Sequence, residues 1–328
     1  MIVDETVYDR RDPGFTTRKP AKYFAAEFHV SAALRQLNAE VTSIPATRNL
    51  VDTITAIKQA KPDLVFNLVE HIGGHRTADS IIPAMLEIAG LAYTGATAQA
   101  LTVARDKHLS KVIVSSVGVP VPKSFVARPH VTIRAEQCKF PVIVKPLCQD
   151  SSEGITARSF STNLESLRRQ LERVFEEFGG PAICEEFVEG REIYVTLSGI
   201  SRVTIDSVCE MVFPPEGHVK FATQRVKYDE KYRKRNKIHF TSPPQLTSEQ
   251  TVNLHAVARR AYEALDIASY AKLEFRLRDN KFYFYEANPN TNLSRFSNAT
   301  DYTRIDYVAF IEKIVRMAMK QHKSRRLA

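Results

Sequence analysis

The sequence predicts an α/β layer in the N-terminal part of the chain and an α+β body after it. Three observations carry this. Short apolar strands and amphipathic helices alternate up to about residue 97, as in a parallel sheet with crossover helices. Pro120 and Pro122 then interrupt the pattern. Further on, "AKLEFRL" and "KFYFYEA" flank Asp279-Asn280, which marks an antiparallel hairpin. At 328 residues the chain exceeds one simple core and fits two or three domains.

The elements follow in order. Residues 1–22 are polar and show no clear element. Residues 23–37 read as an amphipathic helix, and "AEVTSIP" as a short strand. "NLVDTITAIKQA" is helical. "DLVFNLVE" is a buried strand running into a turn at Gly73-Gly74. "ADSIIPAMLEIAG" is a helix with Gly90 at its C-cap, and "LAYTG" a strand. One long helix is expected over residues 98–117, closed by Gly118. Beyond the prolines, "FPVIVKP" is a buried strand. Thr162 and Glu165 form a capping box ahead of a helix with Leu164, Leu167, Leu171, Val174, Phe175 and Phe178 on one face. "PAICEEFV" and "REIYVTLSG" are strands about Gly190. Thr247 and Gln250 make a second capping box, opening a helix to about Leu265. An amphipathic helix covers roughly residues 307–320.

With 44% hydrophobic and 25% charged residues, the composition is that of a soluble globular protein. No apolar run reaches the roughly 18 residues of a membrane helix, and the first residues lack the apolar core of a signal peptide. Cys138, Cys148, Cys184 and Cys209 have no CxxC spacing; they read as free thiols in a reducing, cytoplasmic compartment. The net charge of +9 suits an anionic ligand. Residues 225–237 and 320–326 hold much of the excess; each also fits a solvated basic surface.

Glu274 lies on the first hairpin strand and Glu286 ends the second. They share a face only if the loop between them has an odd number of residues. A three-residue loop, Arg278-Asp279-Asn280, would do this and bring Lys272 and Asn288 to the same face. Two carboxylates and a carboxamide at one spot suit a hard cation such as Mg²⁺. On spacing alone, an exposed charged strand face is the commoner outcome. Lys145 ends an apolar strand and calls for an anion. The turn "QDSSEGIT" after it can aim backbone N–H groups at a phosphate, although neither a P-loop nor GxGxxG occurs. Taken singly, Lys107 reads as an exposed helical lysine, and Glu185 and Glu192 as surface carboxylates.

Taken in order, "DKHLSK", "GVPVPKSFV", "FPVIVKP" with "DSSEGI", "CEEFVEGREIYV" and "KLEFRL…FYFYEANPN" resemble the ATP-grasp superfamily, nearest the D-alanine–D-alanine ligase type. "FNLVEHIGGHRTADSIIPAMLEIAGLAYTG" resembles that family's substrate-domain segment, and the likeness covers about residues 23–320. It implies an ATP-grasp fold with an N-terminal α/β substrate domain over residues 1–97. The ATP-grasp subdomains would cover 98–189 and 190–328. It implies an ADP-forming ligase that joins a carboxylate to an amine through an acyl phosphate, with ATP and Mg²⁺ (or Mn²⁺). The substrates would be small, an amino acid or peptide. Nucleic acid and membrane are not expected partners; a homodimer is admitted.

Position by position, the resemblance puts Lys107 and Lys145 on the ATP phosphates and Lys231 on the γ-phosphate. Ser151, Ser152 and Gly154 would fold over the phosphates. Glu185 would lie at the adenine edge, Phe187 and Val188 in the linker backbone beside adenine, and Glu192 at the ribose. Glu274, Glu286 and Asn288 would hold the metal. Residues 225–237 would form a lid, mobile until ATP binds. The ligases usually carry arginine where Lys272 stands and aspartate where Glu274 stands. Their first strand and Gly-rich turn are poorly visible in residues 1–22. Around the substrate, Glu70-His71 replaces the usual histidine-glycine pair and His75 the usual acidic residue. The run through Asn290 to Ser294 lacks glycine. These differences predict a more basic pocket and a substrate other than two D-alanines. Two alternatives stay open: a phosphotransferase on the same fold, and a D-alanine–D-alanine ligase proper.

Overall fold

The computed structural model describes residues 1–16, 25–133, 138–150, 152–216, 220–295, 297 and 299–327. The chain opens with strand β1 (Ile2–Asp4), helix α1 (Ala25–Gln36), strand β2 (Ile44–Ala46) and helices α2 (Leu50–Ala60) and α3 (Ile81–Ile88). β1 and β2 pair in parallel, and single parallel bridges add Asn67 beside Ile2 and Tyr93 beside Val65. The first strand is therefore present, within three residues, in a stretch whose sequence showed none. "DLVFNLVE" and "LAYTG" add only bridges to this parallel layer. Ile2, Ile57, Val65, Ile82 and Leu86 form its core.

Next come α4 (Ala98–Arg105) and α5 (Lys107–Ser116). The single helix expected here is broken at Asp106. Its extended backbone and its carboxylate, which accepts from the N–H groups of His108 and Leu109 at 2.9 Å, start a new helix. Lys107 becomes the first residue of α5 and is 4% exposed, not a surface lysine.

Strands β3 (Ser124–Ala127), β4 (Val142–Pro146) and β5 (Phe160–Ser161), helix α6 (Leu164–Phe178) and strand β6 (Ala182–Glu186) build an antiparallel sheet of order β3-β6-β4-β5. Leu167, Leu171 and Val174 of α6 pack on Val142 and Val144. The cap of α6 is Asn163 with Ser166, one residue beyond the expected Thr162–Glu165 box; the Asn163 side chain accepts from Ser166 N–H at 2.9 Å.

Strands β7 (Arg191–Ser198) and β8 (Thr204–Val212), helices α7 (Gln224–Tyr228) and α8 (Glu230–Arg235), strand β9 (His239–Thr241), helix α9 (Ser248–Ala264), and strands β10 (Tyr270–Arg278) and β11 (Lys281–Asn288) follow. The strands form a second antiparallel sheet, β11-β10-β7-β8-β9. Its core joins Phe275, Phe282 and Phe284 to α9 and to α4 and α5 through Val257, Leu101 and Val114. The Thr247–Gln250 capping box of α9 is present as expected. Helix α10 (Tyr307–Leu327) returns to the N-terminal layer, where Phe310, Ile311 and Ile314 meet Val30, Leu34 and Phe66. Among the described residues no helix is long and apolar enough to cross a membrane.

The hairpin reaches the expected arrangement by a different route. Arg278 pairs with Lys281, so the turn is two residues, Asp279 and Asn280, at φ 50° and 60°. A two-residue turn in unbroken register would put Glu274 and Glu286 on opposite faces. The register shifts instead: Phe275 faces Phe284, but Glu274 faces Glu286. The extra residue is Tyr285, a β-bulge that reverses the alternation. The odd residue thus lies in the strand, not in the loop.

Candidate active site

The bulge fills one face of β10–β11 with Lys272, Glu274, Glu286 and Asn288, while Leu273, Phe275, Phe284 and Ala287 stay in the core. Lysines close over this face from three directions. Lys107, at the start of α5, stands 3.3 Å from Glu286. Lys227, on α7, stands 3.0 Å from Glu274. Lys272 itself is 3.6 Å from Glu274 and lies over the Tyr194 ring. Burial alone would raise the Glu274 carboxyl, but Lys227 and Lys272 outweigh it and hold it at about 2.

Behind them, Glu185 on β6 is fully buried between Lys111 of α5 and Lys145 of β4, at 2.6 Å from each. Here too burial would raise the carboxyl, and the two ammonium groups hold it at about 2. Lys111 also donates to the Tyr285 carbonyl at 2.5 Å. Sequence reasoning missed Lys111. Its signal was there, four residues after Lys107 and so on the same helix face.

The residues fit a divalent metal in kind: two carboxylates and a carboxamide share one face, and each carboxylate already holds a cation, a lysine ammonium. Among the described residues no group of three or more His, Cys, Asp or Glu forms a metal site, so Asn288 would have to complete the set. Its Oδ1 accepts from Asn290 N–H at 2.9 Å.

The phosphate loop follows β4. Ser151 lies outside the described residues. Ser152 is buried at φ 59°, and its hydroxyl donates to Ala222 C=O at 3.2 Å. Gly154 sits at φ 73°, where a Cβ would come within 2.7–2.8 Å of Phe178 and Pro146, so only glycine fits. Gln224 N–H donates to Ile155 C=O at 3.1 Å. These contacts bring the loop against the segment leading into α7.

The segment expected to form a lid holds two short helices: Thr223 and Asp229 cap α7 and α8, and Val226 and Ile238 are buried beneath them. Lys231, assigned to the γ-phosphate, is exposed on α8. Lys227, four residues earlier on α7, is the residue of this segment that reaches the carboxylates. The sequence offered seven basic residues here and nothing to choose among them.

Phe187 and Val188 lie in the connection from β6 to β7. Phe187 N–H donates to Pro141 C=O at 2.8 Å, and its ring contacts Phe160 and Phe221. Glu192 is not a surface carboxylate. It accepts from Arg276 at 2.7 Å, from the Tyr194 hydroxyl and from Ala222 N–H at 3.3 Å.

On the substrate side, Asn290 donates to Val69 C=O at 2.6 Å, which brings the loop after β11 beside Glu70. Ser294 lies further along, its N–H bonded to Asn292 at 2.9 Å. His75 is exposed and apart from them. Beside Glu70 the structure gathers the carboxylates of Asp4 and Glu27, together with Arg76 and His71. Burial raises both Glu27 and Glu70 to about 7, helped at Glu27 by the charge of Asp4 and at Glu70 by those of Asp150, Asp4 and Glu27. Glu27 is 7% exposed, while Glu70 keeps 37% of its side chain in contact with solvent. Asp4 completes the group, raised by burial and accepting from His71 N–H at 3.2 Å. Arg76 joins Glu70 at 3.5 Å and Glu153 of the phosphate loop at 2.9 Å; His75-Arg76 thus carries its charge outward to that loop.

Residues 113–316 match the family model described as D-ala D-ala ligase C-terminus. A D-alanine–D-alanine ligase of Gluconobacter oxydans is 26% identical over 311 residues, covering 93% of this chain and 97% of the relative. An uncharacterised protein of Sinorhizobium fredii is 28% identical over 274 residues, covering 82% and 79%. Among solved structures, a D-alanine–D-alanine ligase from Bacillus anthracis complexed with ATP superposes with a TM-score of 0.75 at 17% identity, over 98% of both chains. A D-Ala:D-Ser ligase from Enterococcus faecalis superposes at 0.68 with 16% identity, over 91% and 96%.

Proposed function

Since the chain belongs to the D-Ala–D-Ala ligase C-terminal family and has the ATP-grasp fold, we propose that it is an ADP-forming ligase joining a carboxylate to an amine. The observation that carries this is the convergence of Lys107, Lys227 and Lys272 on Glu274 and Glu286, with Lys145 and Lys111 behind them on Glu185. These ammonium groups are poorly solvated, where a phosphate gains more from them than it would in water. Lys107, Lys145 and Lys227 take the ATP phosphates, exchanging the carboxylates they now hold. Lys272 lies where the transferred oxygens collect. Glu274, Glu286 and Asn288 hold Mg²⁺, or Mn²⁺ in its place, which supplies charge neutralisation at the phosphates.

A substrate carboxylate oxygen attacks the γ-phosphorus as its bond to ADP breaks, giving an acyl phosphate. The amine nitrogen then attacks the acyl carbon, loses a proton, and phosphate leaves. The contacts of Ser152 with Ala222 and of Ile155 with Gln224 keep water from the acyl phosphate. Asp4, Glu27 and Glu70 take up the ammonium end of an amino acid or peptide, with the loop through Asn290 and Ser294 forming the wall. Free thiols at all four cysteines suit a cytoplasmic enzyme.

The test is an ADP-release screen with Mg²⁺, over amino acids and short peptides singly and in pairs. We expect ADP only when a carboxylate and an amine partner are both present, and little dipeptide from D-alanine alone. Stoichiometric D-alanyl-D-alanine at an ordinary enzyme rate of roughly 1–10³ s⁻¹ would identify a D-alanine–D-alanine ligase proper. ADP formation without any amine would identify a phosphotransferase.

A further inference from the structure

The bulge residue Tyr285 does more than shift the register. Its ring is 9% exposed, with the Lys145 ammonium 4.9 Å from the ring centre. Its hydroxyl accepts from Val188 N–H at 3.0 Å and donates to Glu186 C=O at 3.3 Å. Val188 lies in the connection between the two sheets, and Glu186 closes β6 opposite Val142. The other amides there look away: Glu186 N–H is bonded to Lys123 C=O and Phe187 N–H to Pro141 C=O, both at 2.8 Å. One donor and one acceptor, two residues apart, are thus left facing the cleft. The planar edge that matches them has an acceptor beside a donor, as adenine does with its ring nitrogen and amino group. Tyr285 meets both needs with a single oxygen atom. Glu192 beyond it is filled in the same way by Arg276, Tyr194 and Ala222.

We propose that Tyr285 occupies the nucleobase position of the cleft and acts as a built-in gate. A base gains the linker hydrogen bonds only when the tyrosine swings away. This rests on the reading of the cleft as an ATP site. Binding a base then exchanges one pair of hydrogen bonds for another, and the nucleotide's apparent affinity falls by the fraction of molecules with the gate open.

The experiment measures calorimetric affinities for Mg-ATP and for Mg-tripolyphosphate, which carries the charge but no base. The proteins are wild type, Tyr285→Phe and Tyr285→Leu. Phenylalanine keeps the packing and removes only the hydroxyl; leucine empties the position. We expect the wild type to bind ATP little more tightly than tripolyphosphate. Both variants should bind ATP about 5- to 100-fold more tightly, the range set by two net hydrogen bonds, with tripolyphosphate unchanged. ATP affinities within twofold of wild type, or weaker, overturn the gate while leaving the ATP reading intact. An equal shift for both ligands also overturns it, because Tyr285 would then act on the whole cleft. Absence of nucleotide binding in all three proteins overturns the ATP reading and the gate together.

Discussion

Replacing Glu185 by glutamine should test whether the buried charges form one balanced unit. The carboxylate is fully buried, with an ammonium 2.6 Å away on each side. Its carboxyl lies at about 2 against an ordinary 4.5, which corresponds to about 3 kcal/mol of stabilisation at neutral pH, at ~1.4 kcal/mol for each tenfold. Removing one member of a buried ion pair costs about 3–5 kcal/mol by a separate line of reasoning, because its partners stay buried and uncompensated. Glu185→Gln should therefore lower the melting temperature by about 4–7 °C at pH 7. The sign with pH is fixed: the folded group titrates below the unfolded one, so the contribution is complete above pH 4.5 and is lost as pH falls towards 2. Scanning calorimetry of both proteins from pH 7 to pH 3 should show the gap narrowing at the acid end. Adding Lys111→Met to the variant should recover part of the loss by removing one stranded ammonium. A shift under 2 °C, or a gap that stays constant with pH, would refute the balanced unit.

Lys227→Ala should lower kcat about 10²-fold, while Lys231→Ala should stay within about threefold. The reverse ranking in steady-state assays would mean that α8, not α7, supplies the lysine. Glu286→Gln should remove nearly all turnover with little change in melting temperature, and wild-type activity should require added Mg²⁺ or Mn²⁺; turnover within about tenfold of wild type (~1.4 kcal/mol) would argue that Glu286 is not a metal ligand. With Glu27 and Glu70 raised to about 7, the KM for the amine should fall as pH rises from 6 to 8, and Glu27→Gln should flatten that dependence. Because their folded values lie above 4.5, the same two groups should cost stability as pH climbs through 7, visible as a falling melting temperature that Glu27→Gln reduces.

What could be read from the sequence was mostly local. Apolar periodicity located α6, α9 and the hairpin strands, and the Thr247–Gln250 box marked its helix start. Lys145 between Val144 and Pro146 pointed to a buried cation, because an apolar strand cannot carry one without an anion. What escaped depended on contacts across the fold. Asp106 looks like any helical aspartate until its carboxylate caps α5, and that break is what buries Lys107. Asn163 displaced Thr162 as the cap of α6 by a one-residue choice between two good capping residues. Lys227 and Lys231 differ only by which side of Asp229 they fall on. β1 is three residues long, too short to show a period. The acidity around Glu70 was invisible because Asp4 and Glu27 lie far from it in the chain.

The bulge at Tyr285 gives the hairpin two independent phases. From the turn to Phe284 the strands alternate in one phase, and from Glu286 onward in the other. Lengthening the Asp279-Asn280 turn leaves the orientation of Glu286 and Asn288 untouched, since the reversal happens beyond it. Deleting Tyr285 removes the bulge and leaves Glu286 opposite Glu274 in unbroken register, whereas drawing Tyr285 into the ladder without a deletion turns Glu286 and Asn288 into the apolar core and drives Ala287 to the ligand side. The turn is thus open to insertion, while the strand keeps its ligands on one face only as long as no residue between Phe284 and Glu286 enters the ladder.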